Sequence, residues 1–281
     1  MTDAAPERGP SRTALGVAAL RAFHQLADDE PKILDDPIAA RLLDAPTLDA
    51  IRKGGGETWS EERRALRAHV LLRSRYAEDR LAEAVRRGVR QLVILGAGLD
   101  TFAYRQPAWA RDLRIFEVDH QATQADKRRR LDQGGVPIPA NLTYVAIDFE
   151  RVSLREGLRA SALDFTRPAV FTCLGVLVYL TEEAADAIFE LVASFPAGSE
   201  IAFTFSSSQA SQSITAVRAA EAGEPWRTHV DPATLREKLR AMGFSTVAFL
   251  EPEDAERRYF ARARRDGLTA PRRTSIAAAV V

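Results

Sequence analysis

The sequence has few of the features that mark several common classes of protein. Its 281 residues include one cysteine, Cys173, so an intrachain disulfide is impossible and a reducing compartment is expected. Its 39 basic side chains equal its 39 acidic ones, and binding to nucleic acid or to an anionic membrane would need a basic excess. No apolar run approaches membrane-spanning length, and the first ten residues lack the apolar centre of a secretory signal. We therefore expect a cytoplasmic protein with no nucleic-acid or membrane partner.

Residues that bind metals or act as common nucleophiles are also scarce. The lone cysteine and four scattered histidines do not have the spacing of a metal-ligand set, so no metal site is expected. The chain contains neither a Gly-x-Ser-x-Gly elbow nor a phosphate-binding loop. These absences argue against metal-dependent hydrolysis, serine hydrolysis and nucleotide triphosphate hydrolysis.

What the chain does contain is an apolar run that ends in a tight glycine turn, within Gln91–Thr101. A second apolar run ends in Asp119, which lies 21 positions after Gly98. Continuous apolar runs of this kind are typical of buried parallel strands. Glycines allow the backbone to approach a ligand closely, and an acid at this spacing can accept hydrogen bonds from two ribose hydroxyls. The pattern predicts an α/β enzyme that binds an adenosine-containing cofactor, the structural alternative being an ordinary strand-to-helix turn.

A missing glycine indicates which adenosine cofactor is bound. The dinucleotide fingerprint Gly-x-Gly-x-x-Gly would place its last glycine at position 101, where the chain has Thr101. A pyrophosphate needs the close helix approach that this glycine permits, whereas S-adenosylmethionine carries no phosphate. The pattern therefore favours S-adenosylmethionine over a nicotinamide dinucleotide, and the chain also lacks a Tyr-x-x-x-Lys catalytic pair.

Strands and helices alternate regularly after position 91, which predicts a doubly wound α/β sheet with one antiparallel strand. Strands are predicted at Leu92–Leu95, Ile115–Val118, Thr143–Ile147, Ala169–Cys173, Glu200–Phe205, Thr246–Leu250 and Ser275–Val281. Helices are predicted at Thr13–Ala27, Glu61–Arg87, Gln121–Leu131, Arg151–Ala160, Glu182–Ser194 and from Pro232 to Gly243. A chain of this length favours one domain over two.

That single domain, 1–281, is expected to have three additions. Residues 1–12 are expected to be disordered and 13–88 to form an N-terminal helical cap. Residues 206–230 interrupt the alternation directly after a predicted strand, where α/β proteins bind ligands. This segment is a candidate substrate lid, and an ordinary surface excursion is the alternative.

Six motifs give the chain a resemblance to a known family. They are Leu72–Tyr76, Gln91–Arg105, Phe116–Asp119, Ala146–Phe149, Gly175–Glu183 and Glu256–Phe260. The chain resembles the leucine carboxyl methyltransferases, and most closely their actinobacterial branch of S-adenosylmethionine-dependent enzymes. The resemblance extends from Thr13 over nearly the whole chain. It implies a class I methyltransferase fold, Rossmann-like and seven-stranded, with S-adenosyl-L-methionine as cofactor.

The resemblance also implies a role for individual residues in binding that cofactor. Arg73 would pair with the methionine carboxylate, because a planar guanidinium matches a carboxylate through two parallel hydrogen bonds. Asp119 would hold the ribose hydroxyls, with His120 directly after it. The backbone of the glycine turn would surround the methionine part, through Gly96, Ala97 and Gly98.

The adenine end of the cofactor is assigned in the same way. Asp148 would accept a hydrogen bond from the adenine amino group, and Phe149 would offer its backbone amide to the ring. The structural alternative for Asp148 is a cap of the helix predicted at Arg151, and the two roles are compatible.

One position departs from the family pattern. Relatives usually have an acid before Gly175, near the cofactor's ammonium group, whereas this chain has Leu174. The departure implies weaker cofactor binding or different substrate chemistry. It also motivates a rival interpretation, a degenerate fold that binds cofactor or a partner without transferring a methyl group.

The sequence favours O-methylation of a small-molecule acceptor. A carboxylate acceptor needs no base, while a hydroxyl acceptor is helped by one, usually a histidine. For each of the four histidines a structural role is favoured, although His69 shares a helix face with Arg73 and His229 ends the candidate lid. Tyr76 and Tyr179 are expected to pack at the border of the cleft. The catalytic residue and the oligomeric state stay open.

Overall fold

The computed structural model describes residues 9–53, 60–207, 214–221, 223–260 and 264–281. Two of the predictions concern residues that lie partly outside these ranges. The predicted disorder of residues 1–8 and the central part of the candidate lid, 208–213, lie outside the described residues.

Seven strands form one sheet in the described part of the chain. They are β1 (Gln91–Leu95), β2 (Arg114–Asp119), β3 (Leu142–Ala146), β4 (Val170–Cys173), β5 (Glu200–Thr204), β6 (Thr246–Phe249) and β7 (Ile276–Val280). The strand order is β3-β2-β1-β4-β5-β7-β6, and β7 runs antiparallel to both of its neighbours. This arrangement confirms the predicted doubly wound sheet with one antiparallel strand.

The order of the strands fixes where a ligand can bind. From β1 the chain proceeds to β2 and β3 on one side, then returns to β4 and β5 on the other. Loops that leave β1 and β4 therefore diverge to opposite faces of the sheet and leave a crevice at the carboxyl ends of these strands. All five residues of β1 are buried, which accounts for its unbroken apolar run.

Helices cover both faces and one end of the sheet. They are α1 (Arg12–Ala27), α2 (Ala45–Lys53), α3 (Glu61–Arg86), α4 (Gln121–Gln133), α5 (Leu154–Arg159), α6 (Glu182–Ala193), α7 (Ile214–Glu221), α8 (Pro232–Ala241) and α9 (Pro252–Ala255). Ser11 caps α1, because its hydroxyl accepts a hydrogen bond from the amide of Ala14. Thr181 caps α6 in the same way, as its position before two acids predicted.

One predicted helix is shorter than expected. The prediction placed it at Arg151–Ala160, whereas α5 begins at Leu154. The hydroxyl of Ser153 accepts a hydrogen bond from the amide of Glu156 and so provides the cap. The carboxylate of Asp148 instead accepts from the amide of Glu150, which forms a turn ahead of the helix. The prediction that Asp148 caps this helix is wrong.

Separate apolar clusters hold the sheet and the N-terminal helices. On one face of the sheet, the ring of Phe189 from α6 meets that of Phe203 from β5 edge to face, with centroids 5.1 Å apart. At the carboxyl end of β1, Leu99 packs into a different cluster together with Ala18 and Phe23 of α1. This second cluster holds α1 over the loop that follows β1. None of the helices in the described ranges has both the length and the apolar character that crossing a membrane requires.

Candidate functional site

A cavity of about 1480 Å³ opens at the carboxyl ends of the central strands. Its walls come from the loops after the parallel strands, from α1 and α3, and from the segment before β7. All nine residues that the sequence assigned to cofactor binding line this cavity, namely Arg73, Gly96, Ala97, Gly98, Asp119, His120, Asp148, Phe149 and Leu174. The fold therefore brings together residues that lie up to 101 positions apart in the sequence.

The glycine turn after β1 has a backbone shape that other residues would not adopt. Gly96 has φ +63°, and a Cβ atom placed on it would lie 2.3 Å from Cγ2 of Val176. Both the left-handed conformation and the lack of space exclude a side chain there. The amide of Ala97 donates to the carbonyl of Val118 at 3.1 Å, which ties the turn to the end of β2.

Asp119 joins the turn after β1 to the start of α4. Its Oδ2 accepts a hydrogen bond from the amide of Gly98 and its Oδ1 accepts one from the amide of His120, both at 2.6 Å. Each carboxylate oxygen has a further lone pair, so the group can still accept from two hydroxyls while the backbone holds it in place. This arrangement fits the ribose role implied by the resemblance.

His120 has a structural role next to the proposed ribose site. It is the N-cap of α4, and its Nδ1 accepts a hydrogen bond from the amide of Ala122 at 3.2 Å. In the neutral ring the proton then lies on Nε2. His120 lines the cavity, but its Nδ1 is already engaged.

Arg73 is a half-buried cation beside the loop after β4. A Cβ atom built on Gly175 would lie 2.5 Å from its Nη1, so the guanidinium lies directly against the backbone of that loop. Its Nε is buried without a hydrogen-bond partner, and no carboxylate in the described ranges forms an ion pair with it. Burial lowers the pKa of Arg73 to about 10, so the side chain is still charged at neutral pH. A half-buried cation with no carboxylate within ion-pair distance and with an unpaired Nε favours an anionic ligand.

Leu174, the position that departs from the family, lies between two cavities. It lines the main cavity and also a small one of about 20 Å³ beneath it, which Glu78 and Asp100 line as well. Asp100 lines the main cavity too, so an acid is present beside the position where relatives have theirs. Asp100 is a site residue that the sequence motifs did not assign, although it lies only two residues after Gly98.

Of the four histidines, His69 combines a place in the cavity wall with a marked pKa shift. It lines the cavity one helical turn before Arg73, and its Nδ1 lies 3.4 Å from Oγ of Ser275. Burial and the charge of Arg73 lower the pKa of His69 to about 3, so the ring is neutral at physiological pH. His24 is instead a core residue, with Nδ1 2.8 Å from Oδ2 of Asp28 and Nε2 accepting from the amide of Ile33.

Of Tyr76, Tyr179 and His229, only Tyr179 is among the residues that line the cavity. Tyr179 lines the cavity, whereas Tyr76 is a core residue that is 4% exposed. The ring of His229 lies 6.3 Å from that of Trp226, and His229 is not among the residues that line the cavity. Its Nδ1 is buried without a hydrogen-bond partner. The position of His229 gives no support to its candidacy as a base.

The described part of the candidate lid crosses the cavity and is held at both sides. Glu224 accepts hydrogen bonds from the amide and the hydroxyl of Thr13, at the start of α1. Arg227 Nη1 forms an ion pair with Oε1 of Glu150, 2.7 Å away, in the loop after β3. Trp226, between these two contacts, lines the cavity.

Within residues 9–53, 60–207, 214–221, 223–260 and 264–281, no group of three or more His, Cys, Asp or Glu side chains is placed to hold a metal ion.

Comparison with known proteins identifies the family. Residues 14–193 match the model of the leucine carboxyl methyltransferase family. This chain belongs to that family. The match confirms the resemblance seen in the motifs, and it includes the loops after β1, β2, β3 and β4 that form most of the proposed cofactor site.

Relatives of this family member span most of its length. A Bacillus subtilis (strain 168) protein, "Putative S-adenosyl-L-methionine-dependent methyltransferase YktD", is 31% identical, with 92% of this chain and 94% of the relative covered. A Mycobacterium marinum (strain ATCC BAA-535 / M) protein, "Putative S-adenosyl-L-methionine-dependent methyltransferase", is 37% identical, with 68% of this chain and 64% of the relative covered. This leucine carboxyl methyltransferase family member is accordingly an S-adenosylmethionine-dependent methyltransferase.

Solved structures support the fold of the family member. A crystal structure of "a putative methyltransferase" from Thermobifida fusca YX has a TM-score of 0.57 and 19% identity, covering 97% of this chain and 94% of that one. A DUF574 family protein from Streptomyces avermitilis has a TM-score of 0.56 and 19% identity, with 94% and 96% covered. The class I methyltransferase fold predicted from the resemblance is confirmed.

Proposed function

We propose that this enzyme transfers a methyl group to an oxygen atom of a small acidic molecule, with a carboxylate as the preferred acceptor. The observation that supports this proposal is the separation of charge along the cavity. The donor half, defined as residues 73, 96–100, 119–120, 148–150 and 174, contains four acids and one arginine that line the cavity, Asp100, Asp119, Asp148, Glu150 and Arg73. The acceptor half comprises residues 60–69, 206–207, 214–221, 223–230 and 267–275.

Arginines predominate on two walls of the acceptor half. Arg63 and Arg64 of α3, with Arg272 and Arg273 of the segment before β7, line the cavity together with the acids Glu61 and Glu62. Arg272 forms an exposed ion pair with Glu61 at 3.2 Å. With Glu224 of the segment after β5, the acceptor half has four arginines against three acids in the cavity wall, a small positive excess that would attract an anionic acceptor.

The donor half fits S-adenosylmethionine residue by residue. In this proposal, Asp119 accepts from the ribose hydroxyls, Asp148 accepts from the adenine amino group and Phe149 offers its amide to the ring. Arg73 pairs with the methionine carboxylate, and Asp100 takes the place of the missing acid at Leu174 in receiving the ammonium group. The glycine turn, which has no room for a Cβ atom at Gly96, lets its backbone lie against the methionine part.

The bound cofactor supplies an electrophilic methyl group on a sulfonium. The contribution of this chain is to orient donor and acceptor and to exclude water. Trp226 and Glu224 line the cavity, and Glu224 and Arg227 tie their segment to α1 and to the loop after β3, which supports the proposal that residues 206–230 act as a lid.

The state of His69 favours a carboxylate acceptor over a hydroxyl. A general base works best when its pKa is near the operating pH, and His69, with a pKa of about 3, is a poor proton acceptor. A carboxylate is already ionised at neutral pH and needs no proton removed. The neutral ring of His69, held near Ser275, can still form a hydrogen bond with the acceptor.

The rival interpretation of a fold without methyl transfer is not favoured. The chain keeps an acid, Asp100, beside the altered Leu174, and its relatives are described as methyltransferases. The departure at Leu174 therefore does not by itself argue for loss of activity.

An acceptor screen tests the proposal. The enzyme is incubated with S-adenosylmethionine and matched panels of small carboxylic acids, phenols and amines, and methylated products are identified by mass spectrometry. We expect methyl esters, recognised by their hydrolysis in mild alkali, and much less product with the Asp119→Ala variant at limiting S-adenosylmethionine. Methylation confined to amines would contradict O-methylation, and methylation confined to phenols would contradict the carboxylate preference.

A further inference from the structure

Four side chains of alternating charge, two of them buried and two half-buried, surround the loop that follows β1. They run in the order Arg21, Asp36, Arg105 and Glu78, and their side chains are 3%, 0%, 8% and 22% exposed. Nη1 of Arg21 lies 3.4 Å from Oδ2 of Asp36, and Nε of Arg105 lies 3.4 Å from Oδ1 of the same residue. We call this set the charge clasp. Two cations and two anions make it neutral overall, so it needs no ligand to balance its charge.

The charge clasp holds the loop after β1 at two points. Nη2 of Arg21 donates a hydrogen bond to the carbonyl of Leu99. Nε of Arg105 donates to Oγ1 of Thr101 at 3.1 Å. Both contacts lie immediately after the glycine turn, whose other side is held by Asp119 through the amide of Gly98.

The same clasp also holds α3, the helix that carries Arg73. Nη1 of Arg105 donates to Oε2 of Glu78 at 3.1 Å, and Nη2 donates to Oε1, which makes the pair bidentate. Glu78 lies five residues after Arg73, a distance of about 7.5 Å along the helix axis. Arg105 is thus in direct contact with the loop on one side and with the helix of Arg73 on the other.

From these contacts we propose that Arg105 is a positioning residue for the methyl donor: it fixes the glycine turn relative to Arg73, so that both reach the methionine part at once. The proposal rests on the assignment of Arg73 and the glycine turn to that part of the cofactor, made above. Arg105 does not line the cavity, and it acts through Thr101 and Glu78. Thr101 stands where a dinucleotide fingerprint has its third glycine, and in this proposal its hydroxyl accepts the hydrogen bond that holds the Arg105 guanidinium.

The chain offers a matched control for a purely structural role. Arg80 of the same helix forms an ion pair with Glu200 of β5 at 2.9 Å, and the Glu200 side chain is fully buried. Neither residue lines the cavity. Loss of the Arg80 contact should therefore lower stability without affecting ligand binding.

The test is calorimetric binding of two ligands to each folded variant. S-adenosylhomocysteine contains the complete methionine part, while 5′-methylthioadenosine keeps the nucleoside and the sulfur but lacks the amino acid. In Arg105→Lys the charge remains and the planar fork is lost. We expect its dissociation constant for S-adenosylhomocysteine to rise at least about tenfold, and that for 5′-methylthioadenosine to change by less than about threefold.

Further variants keep the result decisive. Thr101→Val removes only the acceptor for Nε of Arg105 and should weaken S-adenosylhomocysteine binding about three- to tenfold, whereas Arg80→Lys should lower the melting temperature and leave both ligands unaffected. If Arg105→Lys fails to fold, the affinities of Thr101→Val and Glu78→Gln for the two ligands test the positioning role instead.

Two results would overturn the positioning role. One is unchanged affinity for both ligands in Arg105→Lys with a lower melting temperature, as in Arg80→Lys; the other is an equal loss for the two ligands. Arg73→Ala is measured in parallel. If Arg73→Ala does not discriminate between the ligands, the donor assignment itself fails, whatever Arg105→Lys does.

Discussion

The donor half and the acceptor half of the cavity are built in different ways. The donor half consists of short loops at the ends of β1, β2 and β3, and backbone amides hold its central acid, as the two amides on Asp119 show. The acceptor half comes from a helix, from a segment inserted after β5 and from the segment before β7. Its contacts are made by long side chains such as Glu224 and Arg227.

The proposed assignment of the two halves would explain how one fold can keep one methyl donor while its acceptor changes. The backbone contacts of the donor loops depend on the path that the main chain takes at the sheet edge. Few substitutions in these loops leave that path unchanged. Side chains on a helix or an inserted segment can be exchanged while the sheet stays the same. We therefore expect substitutions in the donor half to change cofactor affinity. Substitutions in the acceptor half should change turnover or the pH dependence of stability, or should have no measurable effect.

The largest effect is expected from Asp119→Ala. Loss of two charge-assisted hydrogen bonds to the ribose should weaken S-adenosylhomocysteine binding by about 1.5–3 kcal/mol, or roughly 10- to 150-fold. Titration calorimetry gives the affinity, and circular dichroism checks that the variant is folded. Asp119→Asn, which keeps the size of the side chain, is the control. Unchanged affinity in folded Asp119→Ala would remove the ribose site from the donor half.

Arg73→Ala should have the next largest effect, and a selective one. Without the guanidinium, S-adenosylhomocysteine should bind roughly 10- to 30-fold more weakly, while 5′-methylthioadenosine should be nearly unaffected. Arg73→Lys should restore only part of the loss, because lysine has no planar fork. Competition binding with both ligands measures the difference. An equal loss for the two would show that Arg73 stabilises the packing of α3.

A smaller effect, on stability, is expected from His69. Its pKa is about 3 in the folded protein and about 6.5 in an unfolded chain, so the unfolded state takes up a proton first as the pH falls. Stability is therefore complete above pH 6.5 and is lost below it, by about 1 kcal/mol between pH 7.5 and 5.5.

The comparison with His69→Leu isolates this contribution. Urea unfolding gives the change in the free energy of unfolding between the two pH values for each protein, and on going from pH 7.5 to 5.5 that change should be less favourable by about 1 kcal/mol in the parent than in the variant. Burial raises the pKa of Glu117 to about 7, which has the opposite effect on stability, but that effect is common to both proteins and cancels. Parallel pH profiles would mean that His69 is protonated normally in the folded state.

The smallest effect is expected from His229→Gln. The sequence made His229 a candidate base, whose loss would lower turnover by about 10²- to 10⁴-fold. Because His229 does not line the cavity, we expect the rate with any acceptor found in the screen to stay within about threefold of the parent. A large loss would show that the lid rearranges and brings this ring to the acceptor.

The sheet and the donor half could be predicted because their signals are local. The apolar runs of β1 and β2, the glycine turn and Asp119 all fall within residues 91–119. Each is a direct consequence of burying a parallel strand and turning its end toward a ligand. The resemblance then supplied Arg73 and Asp148, which lie outside that stretch.

The features that could not be predicted depend on contacts between residues far apart in the sequence, or on a choice between two neighbouring residues that could both cap a helix. Thr13 and Glu224 are 211 positions apart, and nothing in either local sequence indicates their contact. Asp36 and Arg105 likewise meet only after α1 and α3 have packed. The start of α5 was misjudged because Asp148 and Ser153 are both good capping residues, and only the folded chain shows which one caps.

The reversed direction of β7 has a consequence for how related enzymes diverge. A parallel strand delivers its last residue to the ligand edge, but β7 delivers its first, so the residues that precede it reach the acceptor half. Ser275 and the arginines before it are in this position. Insertions and replacements in residues 267–275 can therefore reshape the acceptor wall without shifting any parallel strand. We expect acceptor preference in relatives to track this segment, while the donor loops stay alike.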